Sequence, residues 1–162
     1  MTRRSVLIAL LAFVLALPVM ALAQTPNFSG KWTQDMEKSQ MPAAPGGGGG
    51  GGGRGPAGPQ TLTYTQTATE LTMERETPNG VQKTVYKLDG SPSVNTMGRG
   101  GEVTSKSVWE GAKLVTKYSQ TMGENTMEVT ETRYMDGENL VVESVTKSAM
   151  GDRTSKLVFK KG

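Results

Sequence analysis

Residues 61–162 repeat one local pattern, and this repetition restricts the chain to a narrow class of folds. Short segments rich in Thr, Val, Tyr and Met alternate with turn dipeptides such as Asn79-Gly80 and Asp136-Gly137. Such dipeptides between short alternating segments are typical of β-hairpins. The predicted strands cover residues 61–67, 70–77, 81–88, 92–97, 102–109, 113–121, 126–135, 139–147 and 154–161, after a first strand that begins at Gly30.

About ten consecutive strands predict an all-β fold. Strands joined by tight turns favour a single antiparallel up-and-down meander, and closing it into a barrel of about eight to ten strands removes both exposed edges. Alternation along each strand then separates an inner face from an outer face that carries Thr, Lys and Glu. The pairs expected to share the inner face are Leu62 with Tyr64, Leu71 with Met73, Leu114 with Tyr118, Met127 with Val129, Leu140 with Val142, and Leu157 with Phe159.

The first 23 residues have the features of a signal peptide. Arg3 and Arg4 supply a positive start, residues 6–17 are an unbroken apolar run, and small residues precede the expected cut before Gln24. The apolar run is too short to cross a membrane, which takes about 20 residues. We therefore expect a periplasmic or secreted protein whose mature chain, residues 24–162, forms one domain without a transmembrane segment.

Residues 41–60 are a Gly/Pro-rich tract that contains eight consecutive glycines. Such a tract has few side chains to bury and much backbone entropy to lose, so we expect a flexible loop within the domain. A phosphate-binding loop is the alternative. It requires a preceding strand, a following helix and a Lys-Ser/Thr pair, and the sequence provides none of them here.

The composition excludes several kinds of chemistry. The chain has no Cys and no His, which removes Cys-His and Ser-His-Asp nucleophiles, haem ligation by His, and zinc sites built on thiolate or imidazole. The sequence has 18 Lys and Arg against 15 Asp and Glu, and two of the 18 are Arg3 and Arg4. The mature chain is therefore nearly neutral and has no basic stripe for nucleic acid. We expect no catalysis, no cofactor, no metal and no nucleic-acid partner.

A tryptophan stands in the first predicted strand. A barrel of this size has an end that a large flat side chain can cover, so we expect Trp32 to close it. Gly30 would let the chain bend closely into the strand, and Phe28 would add apolar area nearby.

The segment FSGKW, residues 28–32, resembles the Gly-x-Trp element of lipocalins and the Phe-x-Gly-x-Trp opening of intracellular fatty-acid-binding proteins. Residues 27–162 also look like a group of small exported bacterial β-barrel proteins, described as lipocalin-like and of uncharacterised function. The resemblance implies a calycin-type barrel that binds a small molecule. In the fatty-acid-binding proteins a two-helix lid occupies the place that the glycine tract has here. The residues that carry the resemblance are Asn27, Phe28, Ser29, Gly30, Trp32 and Lys38-Ser39.

Two arginines share the parity of the inward-facing residues on their strands, namely Arg75 and Arg133. A buried guanidinium without a partner costs several kcal/mol, so each is paired, lies near a barrel mouth, or receives an anion. A carboxylate clamp for an acidic ligand is the functional interpretation. The alternatives for Arg133 are that Glu131 neutralises it or that it stacks on Trp32, as the lipocalin resemblance implies.

Methionines and aromatic residues complete the candidate site. Flexible thioethers suit an adaptable apolar pocket but also fill irregular core space, and aromatic side chains on alternating strand positions can line a cavity or simply pack. The candidate ligand-binding residues are Arg75, Arg133, Tyr64, Met73, Tyr118 and Met127.

Two functions remain open from the sequence. The first is an exported binding protein for a small apolar, amphipathic or acidic ligand. The second is a structural or interaction module of the cell envelope, with a barrel filled by its own side chains and a protein partner that the sequence does not identify. An internal cavity of roughly 300 Å³ or more favours the first function, and a packed interior favours the second.

Overall fold

Ten strands make up most of the described protein. The computed structural model describes residues 25–41, 58–97, 101–123, 125–149 and 151–162. The predicted strands are confirmed to within one residue at each end, except that the fifth begins at Asp89 and not at residue 92. The predicted signal peptide and residues 42–57 of the predicted loop lie outside the described residues. The strands are β1 Gly30–Gln34, β2 Thr61–Gln66, β3 Glu70–Thr77, β4 Gly80–Lys87, β5 Asp89–Met97, β6 Gly101–Glu110, β7 Lys113–Met122, β8 Asn125–Asp136, β9 Asn139–Lys147 and β10 Arg153–Lys161.

The strands form one antiparallel sheet in the order β4-β3-β2-β1-β10-β9-β8-β7-β6-β5. Consecutive strands are neighbours in the sheet, apart from β4 and β5 at its two edges. The first and last strands are joined at its centre, where Trp32 pairs with Lys161 on one side and with Leu62 on the other. This pairing curls the meander into a barrel, as the sequence predicts.

The expectation that closure removes both sheet edges is wrong, because β4 and β5 share no backbone ladder in the described part of the chain. We call the junction between β4 and β5 the seam. Side chains of β5 bridge it instead. Asn95 Oδ1 accepts a hydrogen bond from the Val85 backbone N–H at 2.8 Å, and Asn95 Nδ2 donates to the Val85 carbonyl at 2.9 Å. Ser93 Oγ accepts from the Lys87 N–H at 2.8 Å. The register shift between Asp89 and Pro92 in β5 accompanies this arrangement.

One end of the barrel is closed by aromatic side chains. Trp32 is 1% exposed, and its indole N–H donates to the Phe28 carbonyl at 2.8 Å. The rings of Phe28 and Trp109 lie 5.6 Å apart between centroids. Gly30 has a φ of +136°, a conformation that side chains rarely adopt, and a Cβ there would lie 3.2 Å from Lys161 Cε. The indole therefore covers this end, and glycine is needed where the chain enters β1.

Alternation places the hydrophobic core inside the barrel. The inner positions of β1, β2, β3, β4, β7, β9 and β10 supply most of its aliphatic and aromatic side chains. The buried core residues are Phe28, Trp32, Leu62, Tyr64, Leu71, Tyr86, Leu88, Leu114, Leu140, Val142 and Phe159.

The seam generates a stability prediction. Replacing Asn95 with Ala leaves the N–H and the C=O of Val85 without their side-chain partner, and an unsatisfied buried group costs about 1–3 kcal/mol. We expect Asn95→Ala to lower the free energy of unfolding in urea by about that amount and to speed hydrogen exchange at Val85. The control is Val94→Ala, whose side chain is 60% exposed on the same strand. Equal losses from both variants would contradict side-chain closure of the seam.

Candidate functional site

A buried arginine lies in the middle of the barrel. Arg133 on β8 is 2% exposed. Its Nε donates to the Tyr64 hydroxyl at 3.4 Å, and its Nη1 donates to Thr116 Oγ1 at 3.2 Å. Its Nη2 donates to the Tyr86 hydroxyl at 3.0 Å and to the Glu131 carboxylate at 2.5 Å. Every nitrogen of this guanidinium therefore has a partner inside the protein.

Strand register brings these groups together. Glu131 and Arg133 are two residues apart on β8 and share its inner face. Thr116 on β7 pairs directly with Glu131. Tyr64 on β2 and Tyr86 on β4 reach Arg133 from the other side of the barrel, and the guanidinium carbon lies 4.5 Å from the centroid of the Tyr86 ring. We call Arg133 and these four partners the arginine layer.

The arginine layer decides between the two structural alternatives for Arg133. The expectation that Glu131 neutralises Arg133 is confirmed by their ion pair. The expectation that Arg133 stacks on Trp32 is wrong, since the guanidinium lies over Tyr86. Trp32 instead has Lys161 Nζ 5.8 Å from its ring centroid. Arg133 sits nearer the middle of the barrel than the lipocalin resemblance implies.

Burial and charge both act on the arginine layer. Burial by itself would lower the pKa of Arg133, but the surrounding Tyr86, Glu131 and Tyr64 raise that pKa, so the guanidinium keeps its proton. Burial raises the pKa of Tyr64 and of Tyr86, because a phenolate would lose its hydration there. Burial and the neighbouring Glu131 raise the pKa of Tyr118. The layer therefore holds one cation, one carboxylate and neutral phenols at ordinary pH.

A cavity of about 220 Å³ lies against one side of the arginine layer. Its wall includes Arg75 near the end of β3 and Gln82 near the start of β4, so it is on the side of the barrel where β3 turns into β4. Its apolar wall is made by Leu62, Met73, Val142, Leu157 and Phe159. The volume is below the roughly 300 Å³ at which a cavity favours the binding function over a packed interior.

Five of the six candidate ligand-binding residues line this cavity: Tyr64, Met73, Arg75, Tyr118 and Arg133. Met127 is partly buried on β8, but it is not among the cavity-lining residues. The Tyr118 hydroxyl donates to Glu131 Oε1 at 3.2 Å, so both carboxylate oxygens of Glu131 are engaged. The Tyr64 hydroxyl donates to the Met73 sulfur at 3.4 Å.

Sequence reasoning missed several polar residues of the interior, among them Tyr86, Gln82 and Thr116. Parity could have found all three. Tyr86 and Gln82 share the parity of Leu88 on the same predicted strand, and Thr116 lies between Leu114 and Tyr118 on β7. The signal for Gln82 is the weakest, because a polar residue next to a turn usually faces solvent.

Among the described residues, no group of three or more His, Cys, Asp or Glu side chains could hold a metal ion. In the same part of the chain, no helix has the length and apolar character needed to cross a membrane.

The ion pair generates a second stability prediction. Glu131→Gln leaves the charge of Arg133 buried without a counter-charge, which lowers the free energy of unfolding by about 3 kcal/mol. The double variant Glu131→Leu with Arg133→Met should recover most of that loss, because no unpaired charge remains. Glu128→Gln, on the exposed outer face of the same strand, should change stability by less than about 0.5 kcal/mol. Urea denaturation measures all three, and equal effects of Glu131→Gln and Glu128→Gln would contradict the ion pair.

The sequence matches no protein-family model and no curated protein. The barrel, in contrast, resembles several solved structures. Zebrafish ileal bile acid-binding protein, crystallised with cholic acid, has a TM-score of 0.60 and 18% identity, with 83% of this chain and 98% of that chain covered. Human cRBP IV has a TM-score of 0.57 and 12% identity, with 85% and 99% covered.

A third structure gives the same result. Apo lipid binding protein 8 of Caenorhabditis elegans has a TM-score of 0.57 and 12% identity, with 83% of this chain and 95% of that chain covered. These likenesses extend over almost the full length of each neighbour. Because the sequence identities are low, they show the fold alone. The fold of this chain is therefore a ten-stranded antiparallel barrel similar to the barrels of these three proteins.

Proposed function

We propose that this protein is an exported, non-catalytic binding protein that holds one small apolar or amphipathic molecule inside its barrel. The observation that carries the proposal is the cavity of about 220 Å³ between the arginine layer and the β3–β4 end. One part of its wall is apolar and another part carries Arg75, Gln82 and Tyr118. An apolar wall that faces a set of polar groups can hold an amphipathic molecule in one orientation.

The structural neighbours support the same function. One of them is a bile acid-binding protein in complex with cholic acid, and another is a lipid-binding protein. A barrel of this architecture can therefore enclose an apolar molecule. The cavity volume of about 220 Å³ favours a compact ligand over a long lipid. Export is supported by the charged start, the apolar run and the small residues before Gln24.

The cavity limits the affinity that apolar contacts can give. Enclosing about 200 Å² of ligand apolar surface contributes about 5 kcal/mol. Before any cost of ordering, this free energy corresponds to a dissociation constant near the millimolar range. Polar contacts to the ligand are therefore needed for tighter binding.

A second function, a structural or interaction module, is favoured by a specific observation. The arginine layer fills the middle of the barrel with the protein's own side chains, and the remaining cavity is small. Under this alternative the cavity is residual space and the outer surface contacts a partner.

A cavity-filling variant separates the two functions. Val142→Phe adds bulk at a buried position that lines the cavity, and we expect it to weaken binding of 1-octanol by about tenfold or more, or roughly 1.4 kcal/mol. Val145→Phe, at a 38% exposed site on the same strand, is the matched control and should leave binding unchanged. The measurement is an NMR titration of amide chemical shifts. The protein is recovered from the exported fraction, and its intact mass should be that of a chain that begins at Gln24.

Two results would count against the binding function. No saturable shift with 1-octanol in the unmodified protein would favour the interaction module. Equal binding by Val142→Phe and the unmodified protein would place the ligand outside the cavity.

A further inference from the structure

Among the described residues, the cavity wall contains two guanidinium groups, those of Arg75 and Arg133, and one carboxylate, that of Glu131. Glu131 is already used, since one oxygen accepts from Arg133 and the other accepts from the Tyr118 hydroxyl. The charge and the hydrogen bonds of Arg133 are likewise satisfied by its partners in the arginine layer. The uncompensated positive charge of the cavity is therefore on Arg75.

Strand register leaves Arg75 without an acidic neighbour on the inner face. Its direct cross-strand partners are Leu62 on β2 and Gln82 on β4. The flanking Glu74 and Glu76 are exposed on the outer face of β3. None of the ion pairs between described residues includes Arg75.

The hydrogen bonding of Arg75 is also incomplete. Its Nη2 donates to the side-chain oxygen of Gln82 at 2.5 Å. Its Nε is buried, and no acceptor for it exists among the described residues. A buried donor without an acceptor is costly, and native proteins rarely keep one without a reason. The amide group of Gln82 supplies further N–H donors beside the guanidinium.

This arrangement suits an anion that enters from the cavity. A guanidinium binds a carboxylate through two parallel hydrogen bonds, and these are stronger than neutral ones. Leu62, Met73 and Leu157 line the same cavity and can pack against the apolar part of such a ligand. A cavity of about 220 Å³ fits a compact acid.

We propose that Arg75, assisted by Gln82, is the anion-binding subsite of this barrel, and that the ligand is a compact amphipathic monocarboxylate. Arg133 has a structural role, because Glu131 occupies it from within the protein. This assignment rests on the proposed binding function, and it gives the ligand its charge and its orientation. The carboxylate lies toward the β3–β4 end, and the apolar chain lies against the inner wall.

The test compares octanoate with 1-octanol, which have the same chain length and differ in charge. In NMR titrations we expect the unmodified protein to bind octanoate at least tenfold more tightly than 1-octanol. Arg75→Met should weaken octanoate binding tenfold or more and remove the preference for octanoate over 1-octanol. Lys83→Met is the matched control: it removes one positive charge from the exposed outer face of β4, next to Gln82, and should change neither affinity.

Arg75→Lys is the second variant. It keeps the charge but not the planar fork, so we expect an intermediate loss of the preference for octanoate over 1-octanol. A thermal unfolding curve shows whether Arg75→Met folds. If Arg75→Met does not fold, Arg75→Lys tests the anion subsite in its place.

Each contrary outcome has a distinct meaning. Binding of 1-octanol with no preference for octanoate overturns the anion subsite and leaves the binding function intact. Tight octanoate binding that survives Arg75→Met also overturns the subsite, because the anion is then held elsewhere. Failure of the unmodified protein to bind either compound overturns the binding function itself.

Discussion

The need to keep a charged guanidinium inside an all-β barrel shapes the rest of this structure. Arg133 is almost fully buried, and burial of an ion is tolerated only when charge and hydrogen bonds are both satisfied. Glu131 supplies the charge, while Tyr64, Tyr86 and Thr116 accept the remaining hydrogen bonds. These partners come from four different strands. The layer therefore ties opposite walls of the barrel together and fixes how far apart they lie.

The position of the arginine layer divides the interior into two parts. On one side, Trp32, Phe28 and Trp109 pack into the closed end and leave the barrel solid there. On the other side, a small cavity remains, lined in part by Arg75 and Gln82. Because Glu131 already neutralises Arg133, the charge available to a ligand comes from Arg75. The two arginines of the interior therefore differ. Arg133 has a charged partner inside the barrel, and Arg75 has none among the described residues.

Local patterns predicted most of the fold, and long-range contacts account for what they missed. Turn dipeptides and alternation located the strands, since both act within one hairpin. The seam was missed because the bond from Asn95 to Val85 joins two strands whose backbones do not pair. Parity placed Arg133 inside with Glu131, two residues away. It could not show that Tyr86, 47 residues distant along the chain, would lie under the guanidinium in place of Trp32.

Spectrophotometric titration of the tyrosines tests the buried arginine layer most directly. The chain has four tyrosines, and burial raises the pKa of each of them, that of Tyr134 to about 12 with help from Glu143. Raised values favour the neutral phenols in the folded state, so this stabilisation is complete below about pH 10 and is lost as the pH rises further. The native protein at about pH 10 should contain little tyrosinate, and the urea-unfolded chain about half. Half-ionised tyrosine in the native protein at that pH would contradict the buried layer.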